Sequence, residues 1–205
     1  RISEVRAEIS RLEQIDDNGL MFALADEPKT RGLDMSPEAR KARAKELGFD
    51  TSRVFYHGTG SDIEAFSLRR AQDKEGRQRG LGLGKGKVYL TGHSESASAW
   101  AMQAPDRGLG DKPNVVPVYV KGRLIDESVW SDKFSELSGG KKPYASDLSM
   151  SERDAVIARV DAWAKEQGYS GIQQARRDYK TGEILEVGQV AVFDPKDIRS
   201  INADF

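Results

Sequence analysis

The chain has 205 residues, of which 38% are hydrophobic and 32% charged. That size allows one medium domain with an extension, or at most two small domains. The net charge of −1 argues against a general nucleic-acid binder but leaves a local basic patch open. The absence of cysteine excludes disulfides and thiolate metal sites, and two histidines are too few for a multi-histidine site, so we expect no metal.

No apolar run approaches the roughly 20 residues that a membrane-spanning helix needs, so we expect no membrane association. The first residues, Arg1-Ile2-Ser3-Glu4, show neither an initiator Met nor a signal-peptide pattern. We therefore expect a piece of a longer polypeptide. The lack of cysteine also fits a reducing compartment, which predicts action in the cytoplasm of a host or target cell.

Residues 1–16 carry apolar side chains at spacings of three and four, at Ile2, Val5, Ile9, Leu12 and Ile15. This pattern predicts an amphipathic helix, which either packs on the domain or is the tail of an upstream helix. Residues 17–34 contain Asn18-Gly19, Pro28 and Gly32 and are typical of a loop or linker. We therefore divide the chain into an N-terminal helix with its linker, 1–34, and a domain over 35–205.

A second helix has clear ends in the sequence. Ser36 can cap it, Pro37 occupies its first position, and Gly48 follows its last turn. Further elements follow without strict βαβ alternation: strands at 54–57, 87–91, 115–120, 170–173 and 189–193, and helices at 94–103, capped by Ser94, and at 152–167. That order predicts an α+β fold and not a Rossmann sheet.

Residues 69–87 hold seven Lys or Arg and five Gly without periodicity, which predicts a long, mobile, basic loop. Its glycines follow no apolar strand and lack dinucleotide-binding spacing, so they do not form a Rossmann fingerprint. Two residues outside the motifs below have plain interpretations. We expect His93 in a surface turn and Trp130 in an insertion packed on the rim.

Three segments carry a resemblance to a known family, in the right order: Tyr56-His57-Gly58-Thr59, then Val88-Tyr89-Leu90-Thr91 before an alanine-rich helix, then 189–195 with Ile198-Arg199-Ser200 behind it. Together they resemble ADP-ribosyltransferases of the histidine–tyrosine–glutamate type, the group of diphtheria toxin and the poly(ADP-ribose) polymerases. The match is closest to domains of phage polyvalent proteins and related bacterial toxins. It covers about residues 34–205.

The resemblance implies an α+β fold with two small packed antiparallel or mixed sheets, flanking helices and a split NAD-binding cleft. It implies NAD as the donor, with ADP-ribose transferred to a macromolecular acceptor, protein or nucleic acid, and nicotinamide released. A toxin or effector role, with an immunity protein or an upstream domain as partner, also follows. Such an enzyme must hold the dinucleotide bent and stabilise an oxocarbenium-like ribose.

Donor binding is the role that the resemblance implies for the first two segments. His57 would bond the adenosine-side ribose, the backbone of Gly58 would contact the nicotinamide amide, and Thr59 could supply a further hydroxyl. Alternatively, the His57 side chain is hydrogen-bonded by a local backbone group and has no role in donor binding. Tyr89 would stack on nicotinamide, unless it is a plain strand tyrosine. Trp100, eleven positions on, is either the second face of that stack or a core residue.

The third segment departs from the family, because Gln189 stands where the catalytic glutamate is expected. A glutamine keeps the hydrogen bond to the ribose 2′-hydroxyl but lacks the charge, and losing such a stabiliser costs roughly 10²–10³ in rate. Three explanations are open: an introduced Glu→Gln change, a natural variant of different activity, or replacement by Glu186 or Glu183 from the preceding loop. Gln189 can also be an ordinary polar strand residue.

Two further segments have a role only through the resemblance. The basic loop lies where relatives cover the donor, so Arg69 or Arg70 is a candidate for the pyrophosphate. The segment 173–186 lies where relatives recognise the acceptor, although it is equally a solvated hairpin around Thr181-Gly182. Three functions therefore compete: ADP-ribosyl transfer, NAD hydrolysis, and weakly catalytic NAD binding within a larger phage or mobile-element protein. A fourth function, RNA 2′-phosphotransferase activity, is not favoured, because such an enzyme needs several basic residues around the RNA phosphate and this sequence shows no matching set.

Overall fold

A computed structural model describes residues 33–63, 65–68, 83–143 and 146–205. The predicted helix 1–16, Arg69, Arg70 and most of the basic loop lie outside these residues. The boundary after residue 34 stays a prediction, and the description below concerns the compact unit Pro37–Ala203 with Phe205. No helix within the described ranges is long and apolar enough to cross a membrane.

Four helices and seven strands make up this part of the chain. The helices are α1 (Pro37–Glu46), α2 (Ser94–Met102), α3 (Glu127–Leu137) and α4 (Met150–Glu166). The strands are β1 (Phe49–Thr59), β2 (Val88–Thr91), β3 (Asn114–Lys121), β4 (Arg123–Asp126), β5 (Tyr169–Arg177), β6 (Ile184–Val192) and β7 (Ile198–Ser200), with a 3₁₀ turn at Pro195–Asp197 before β7. This mixture confirms an α+β fold; β4, α3 and β7 are the elements that the sequence patterns missed.

The strands form one continuous sheet in the order β4-β5-β6-β2-β1-β3-β7, and only β4 and β5 run parallel. The predicted pair of separate packed sheets is therefore not confirmed. The two halves, β4-β5-β6-β2 and β1-β3-β7, meet where β1 and β2 share the single register pair Tyr56 and Thr91. Because so little of β1 and β2 is paired, backbone groups along this seam need other partners.

Apolar clusters cover both faces of the sheet. One contains Phe55, Leu90, Val118, Val190 and Val192, which alternate with residues that point to the opposite face. The other contains the fully buried Trp130 and Phe134 of α3, packed with Ile157 of α4. The expectation that Trp130 lies on the rim is wrong. The reason is that Trp130 and Phe134 stand four apart on a helix that the sequence did not reveal, so both face inward.

The helix ends follow the local sequence. Pro37 begins α1, and Gly48 follows it with φ of +85°, as predicted. α2 is capped by His93 and not by Ser94, and His93 makes no side-chain cap bond. α4 begins two residues earlier than predicted, at Met150, because Ser149 and Glu152 form a reciprocal capping box.

Candidate active site

A cavity of about 710 Å³ lies along the seam between β1 and β2. Its lining includes residues from all three motifs: His57, Gly58, Thr59, Tyr89, Trp100 and Gln189. Thr91 and Gln189 are register partners, so the end of β2 lies beside Gln189 in the interior of β6 and the second and third motifs stand side by side. The fold thus gathers six of the predicted site residues into one cavity, the donor cleft; their roles stay predictions.

His57 lies on β1 and crosses the seam. Its Nδ1 lies 2.9 Å from the backbone carbonyl oxygen of Tyr89, and because a carbonyl only accepts, Nδ1 carries the proton. Burial lowers the pKa of His57, and the hydrogen bond to Tyr89 offsets this only in part, so the ring is neutral near pH 7. Within the described residues Nε2 makes no hydrogen bond, which leaves it as an acceptor for a ligand hydroxyl.

Gly58 has a structural explanation of its own. A Cβ at this position would lie 2.1 Å from the backbone carbonyl oxygen of Ala97, so only glycine lets α2 pack directly on β1. Gly60 permits a similar close approach, because a Cβ there would lie under 3 Å from atoms of Leu109 and Ala104. Thr59 follows Gly58, and its Oγ1 accepts a hydrogen bond from the Ser61 backbone. Close packing of α2 therefore shapes one wall of the cleft.

Tyr89 and Trp100 both border the cleft but differ in their surroundings. The Tyr89 hydroxyl donates to the Gly84 carbonyl, and its half-buried ring packs on the core cluster around Trp130. Trp100 is 38% exposed, which argues against its being a core residue. The Arg107 guanidinium lies 4.3 Å from the centre of the Trp100 ring. Within the described residues the two aromatic rings make no direct contact, and both face the cavity.

Gln189 follows Gly188, whose carbonyl is held by two hydrogen bonds from the end of β2. The Gly188 carbonyl accepts from the Thr91 hydroxyl at 2.8 Å and from the Gly92 backbone at 3.2 Å. The Gln189 side chain itself makes no hydrogen bond within the described ranges, so its amide can bind a ligand in the cleft. The rest of the motif is structural, since Phe193 is buried and Asp194 accepts from the Lys196 backbone.

Glu186 lies outside the donor cleft. Its carboxylate bonds His93 Nε2 at 2.8 Å and Arg176 Nε at 3.0 Å, so His93 does more than occupy a surface turn. Glu186 instead borders a second cavity, also about 710 Å³, between α3 and the β5–β6 pair. Glu183 is exposed in the hairpin, where its carbonyl accepts from the Asp178 backbone. Neither residue lines the cavity that Gln189 lines.

Charged residues that the motifs did not reveal complete the cleft. α4 presents Met150, Arg153, Asp154 and Ile157 at helical spacing, and Arg107 follows α2. Lys85 forms an ion pair with Asp154 at 3.0 Å. The α4 residues come from a segment distant in sequence from the motifs, and Arg107 comes from the turn after α2, so the motifs themselves do not point to them. Their placement depends on how α2 and α4 dock on the sheet.

Lys87 departs from the prediction of a long, mobile, basic loop over residues 69–87. Its side chain is buried, pairs with Asp161 and donates to the Leu83 carbonyl at 2.6 Å. Burial lowers the pKa of Lys87 and raises that of Asp161, and their mutual attraction opposes both shifts. Asp161 also accepts from Trp130 Nε1 at 3.1 Å. The end of the basic loop is thus anchored in the core beneath the cleft.

The family comparison agrees with this arrangement. A family model described as "ADP-Ribosyltransferase in polyvalent proteins" matches residues 51–204, well over half of the chain. The chain belongs to this family. The resemblance that the three motifs indicated is thereby confirmed, and membership supports a general ADP-ribosyl transfer function.

Other comparisons add little to this ADP-ribosyltransferase domain. No curated protein matches the sequence. A solved structure titled "Crystal structure of an anti-CRISPR protein" is similar at 14% identity, over 72% of this chain and 96% of that one, with a TM-score of 0.33. A likeness this distant carries no argument about function. Within the described ranges, no group of three or more His, Cys, Asp or Glu side chains is arranged to hold a metal.

Proposed function

We propose that the domain binds NAD in the donor cleft and transfers its ADP-ribose to a macromolecular acceptor, releasing nicotinamide. The observation that carries this proposal is the gathering of His57, Tyr89 and Gln189 around one cavity. His57 Nε2 would accept a hydrogen bond from the adenosine-side ribose, and Tyr89 would stack on the leaving nicotinamide ring. The Gln189 amide would bond the 2′-hydroxyl of the ribose that is transferred.

The cleft suits NAD in size and charge. Its volume of about 710 Å³ falls within the range of small-molecule sites. The lining contains four basic side chains and one acidic one, Lys85, Lys87, Arg107, Arg153 and Asp154. Lys85 and Lys87 are offset by Asp154 and Asp161, so the arginines of the lining supply the positive charge that would attract the doubly negative pyrophosphate of NAD.

The second cavity favours transfer over hydrolysis. It is bordered by Gly188 and Gln174, which lie next to Gln189 in sequence and in sheet register. A second substrate held there would approach the ribose carbon beside Gln189, whereas water needs no such space. We therefore propose that the second cavity receives the acceptor; the family position of segment 173–186 agrees with this.

Gln189 also favours a second candidate function. Its amide can hold the ribose 2′-hydroxyl, but it supplies no negative charge to the developing oxocarbenium ion. A chain with this residue can bind the donor and turn it over slowly. The domain would then be an NAD-binding module of a larger polyvalent protein with weak catalysis.

One experiment separates these functions. The chain, its Gln189→Glu variant and Tyr89→Ala variants of both are incubated with NAD labelled in the adenylate part and a cell lysate. Nicotinamide release, free ADP-ribose and labelled macromolecules are measured, and NAD affinity is measured by calorimetry. We expect Gln189→Glu to raise nicotinamide release by roughly 10²–10³, and Tyr89→Ala to weaken NAD binding.

Each product pattern identifies one function. Labelled protein or nucleic acid supports transfer, and free ADP-ribose alone supports an NAD glycohydrolase. NAD binding without turnover in the parent, with turnover in Gln189→Glu, supports the weakly catalytic module. The proposal is wrong if Gln189→Glu releases no nicotinamide while Tyr89→Ala leaves NAD affinity unchanged.

A further inference from the structure

Arg107 is held at the edge of the donor cleft by neutral groups. It lies in the turn after α2, where its backbone N–H bonds the carbonyls of Gln103 and Ala104. Its guanidinium stacks on Trp100, with 4.3 Å from Cζ to the ring centre, and Nη2 donates to the Gln103 side chain at 2.5 Å. Both the backbone and the side chain of Arg107 are therefore positioned before any ligand binds.

The charge of Arg107 is not balanced by the protein. The two lysines of the cleft, Lys85 and Lys87, are paired with Asp154 and Asp161. Within the described residues, by contrast, no carboxylate lies within ion-pair distance of the Arg107 guanidinium. A cation whose contacts are all neutral retains its full attraction for an anionic ligand.

The stacked geometry leaves the guanidinium free to bind oxyanions. Stacking on Trp100 uses the flat face of the group, whereas its N–H bonds point outward in its plane. Two parallel N–H groups match two oxygens of a phosphate. Because Trp100 and Gln103 already restrict the side chain, little conformational entropy is lost on binding.

We propose that Arg107 binds the pyrophosphate of the donor dinucleotide, with Trp100 as the residue that positions it. This inference rests on the proposed function, since NAD supplies the pyrophosphate. It places the phosphate contact on the turn after α2, whereas the sequence pointed to Arg69 or Arg70. It also gives Trp100 a role besides any stacking on nicotinamide.

Binding measurements with three probes test the inference. NAD and ADP-ribose contain the pyrophosphate, and nicotinamide riboside does not. Arg107→Gln should weaken NAD and ADP-ribose by about 10- to 100-fold, because a charge-assisted hydrogen-bond pair is lost. Nicotinamide riboside, followed by NMR shift titration, should bind the variant and the parent equally. Arg107→Lys keeps the charge but not the paired geometry, so its loss should be intermediate.

Arg159→Gln is the matched control. Arg159 is an exposed arginine of α4 that does not line the cleft, so its variant loses the same charge and should bind NAD like the parent. Raising the salt concentration should weaken ADP-ribose binding less steeply in Arg107→Gln than in the parent or the control. Circular dichroism and thermal melting verify that each variant is folded.

The outcomes separate this inference from the proposed function. If the parent binds NAD and Arg107→Gln binds it equally well, the inference is overturned and the function stands. If the parent does not bind NAD but binds inorganic pyrophosphate in an Arg107-dependent manner, the anion site stands and the function is overturned. If the parent binds neither NAD nor pyrophosphate, both are overturned.

Discussion

His57 Nδ1 lies 2.9 Å from the backbone carbonyl oxygen of Tyr89, so a side chain from one half of the sheet bonds the backbone of the other. β1 and β2 share only one register pair, Tyr56 with Thr91. The His57 bond is therefore a second tie across the seam. It links two residues of the donor cleft, because the His57 ring is hydrogen-bonded to the backbone of Tyr89.

The lowered pKa of His57 predicts a pH-dependent stability. Its ordinary value is 6.5, and burial lowers it in the folded state. As pH falls below 6.5, His57 becomes protonated in the unfolded chain but stays neutral in the folded one. The free energy of unfolding therefore decreases until the pH reaches the folded-state pKa of His57. We expect His57→Asn to flatten this slope, measured by urea unfolding between pH 7.5 and 5. An unchanged slope in His57→Asn would show that other groups cause the dependence.

Gly58→Ala should destabilise the domain by about 1–3 kcal/mol, because the new methyl group would collide with the Ala97 carbonyl and displace α2. Gly188→Ala is the control, since a Cβ there meets its nearest atom at 3.9 Å. Urea unfolding of both variants measures the difference. Equal stability of the two variants would mean that α2 does not pack on β1 as described.

Lys87 and Asp161 should behave as a coupled buried pair. Lys87→Met or Asp161→Asn alone leaves an uncompensated buried charge, which costs about 3–5 kcal/mol. The double variant should cost clearly less than the sum of the two, as a double-mutant cycle by urea unfolding measures. Lys85 and Asp154 form a half-exposed control pair, whose coupling should stay below about 1 kcal/mol. Additive losses at Lys87 and Asp161 would contradict the pairing.

Glu186→Gln should leave nicotinamide release by the Gln189→Glu variant nearly unchanged. The reason is that the Glu186 carboxylate is held by His93 and Arg176 outside the donor cleft. Nicotinamide release with and without Glu186→Gln measures this, while transfer to a macromolecule is followed separately. A loss of release comparable to that expected at Gln189 would instead support Glu186 as the substitute carboxylate.

Local sequence was sufficient wherever the physical cause is local. Pro37 and Gly48 delimit α1 because proline suits the first helical turn and glycine adopts positive φ after the last one. The capping box of Ser149 and Glu152 is equally local, because both of its residues lie within one helical turn at the start of α4. The three motifs indicated the family because they occur together and in the right order.

The sequence by itself thus determined the α+β class, the family, and the choice of His57, Tyr89 and Gln189 as candidate site residues. Only the tertiary structure decided that His57 Nδ1 bonds the Tyr89 carbonyl, that Lys87 is buried, that Glu186 lies outside the cleft, and that Arg107 lies in it. Those facts depend on contacts between segments far apart in the chain. Burial, charge pairing and cleft membership arise from such packing, which no local pattern of residue types encodes.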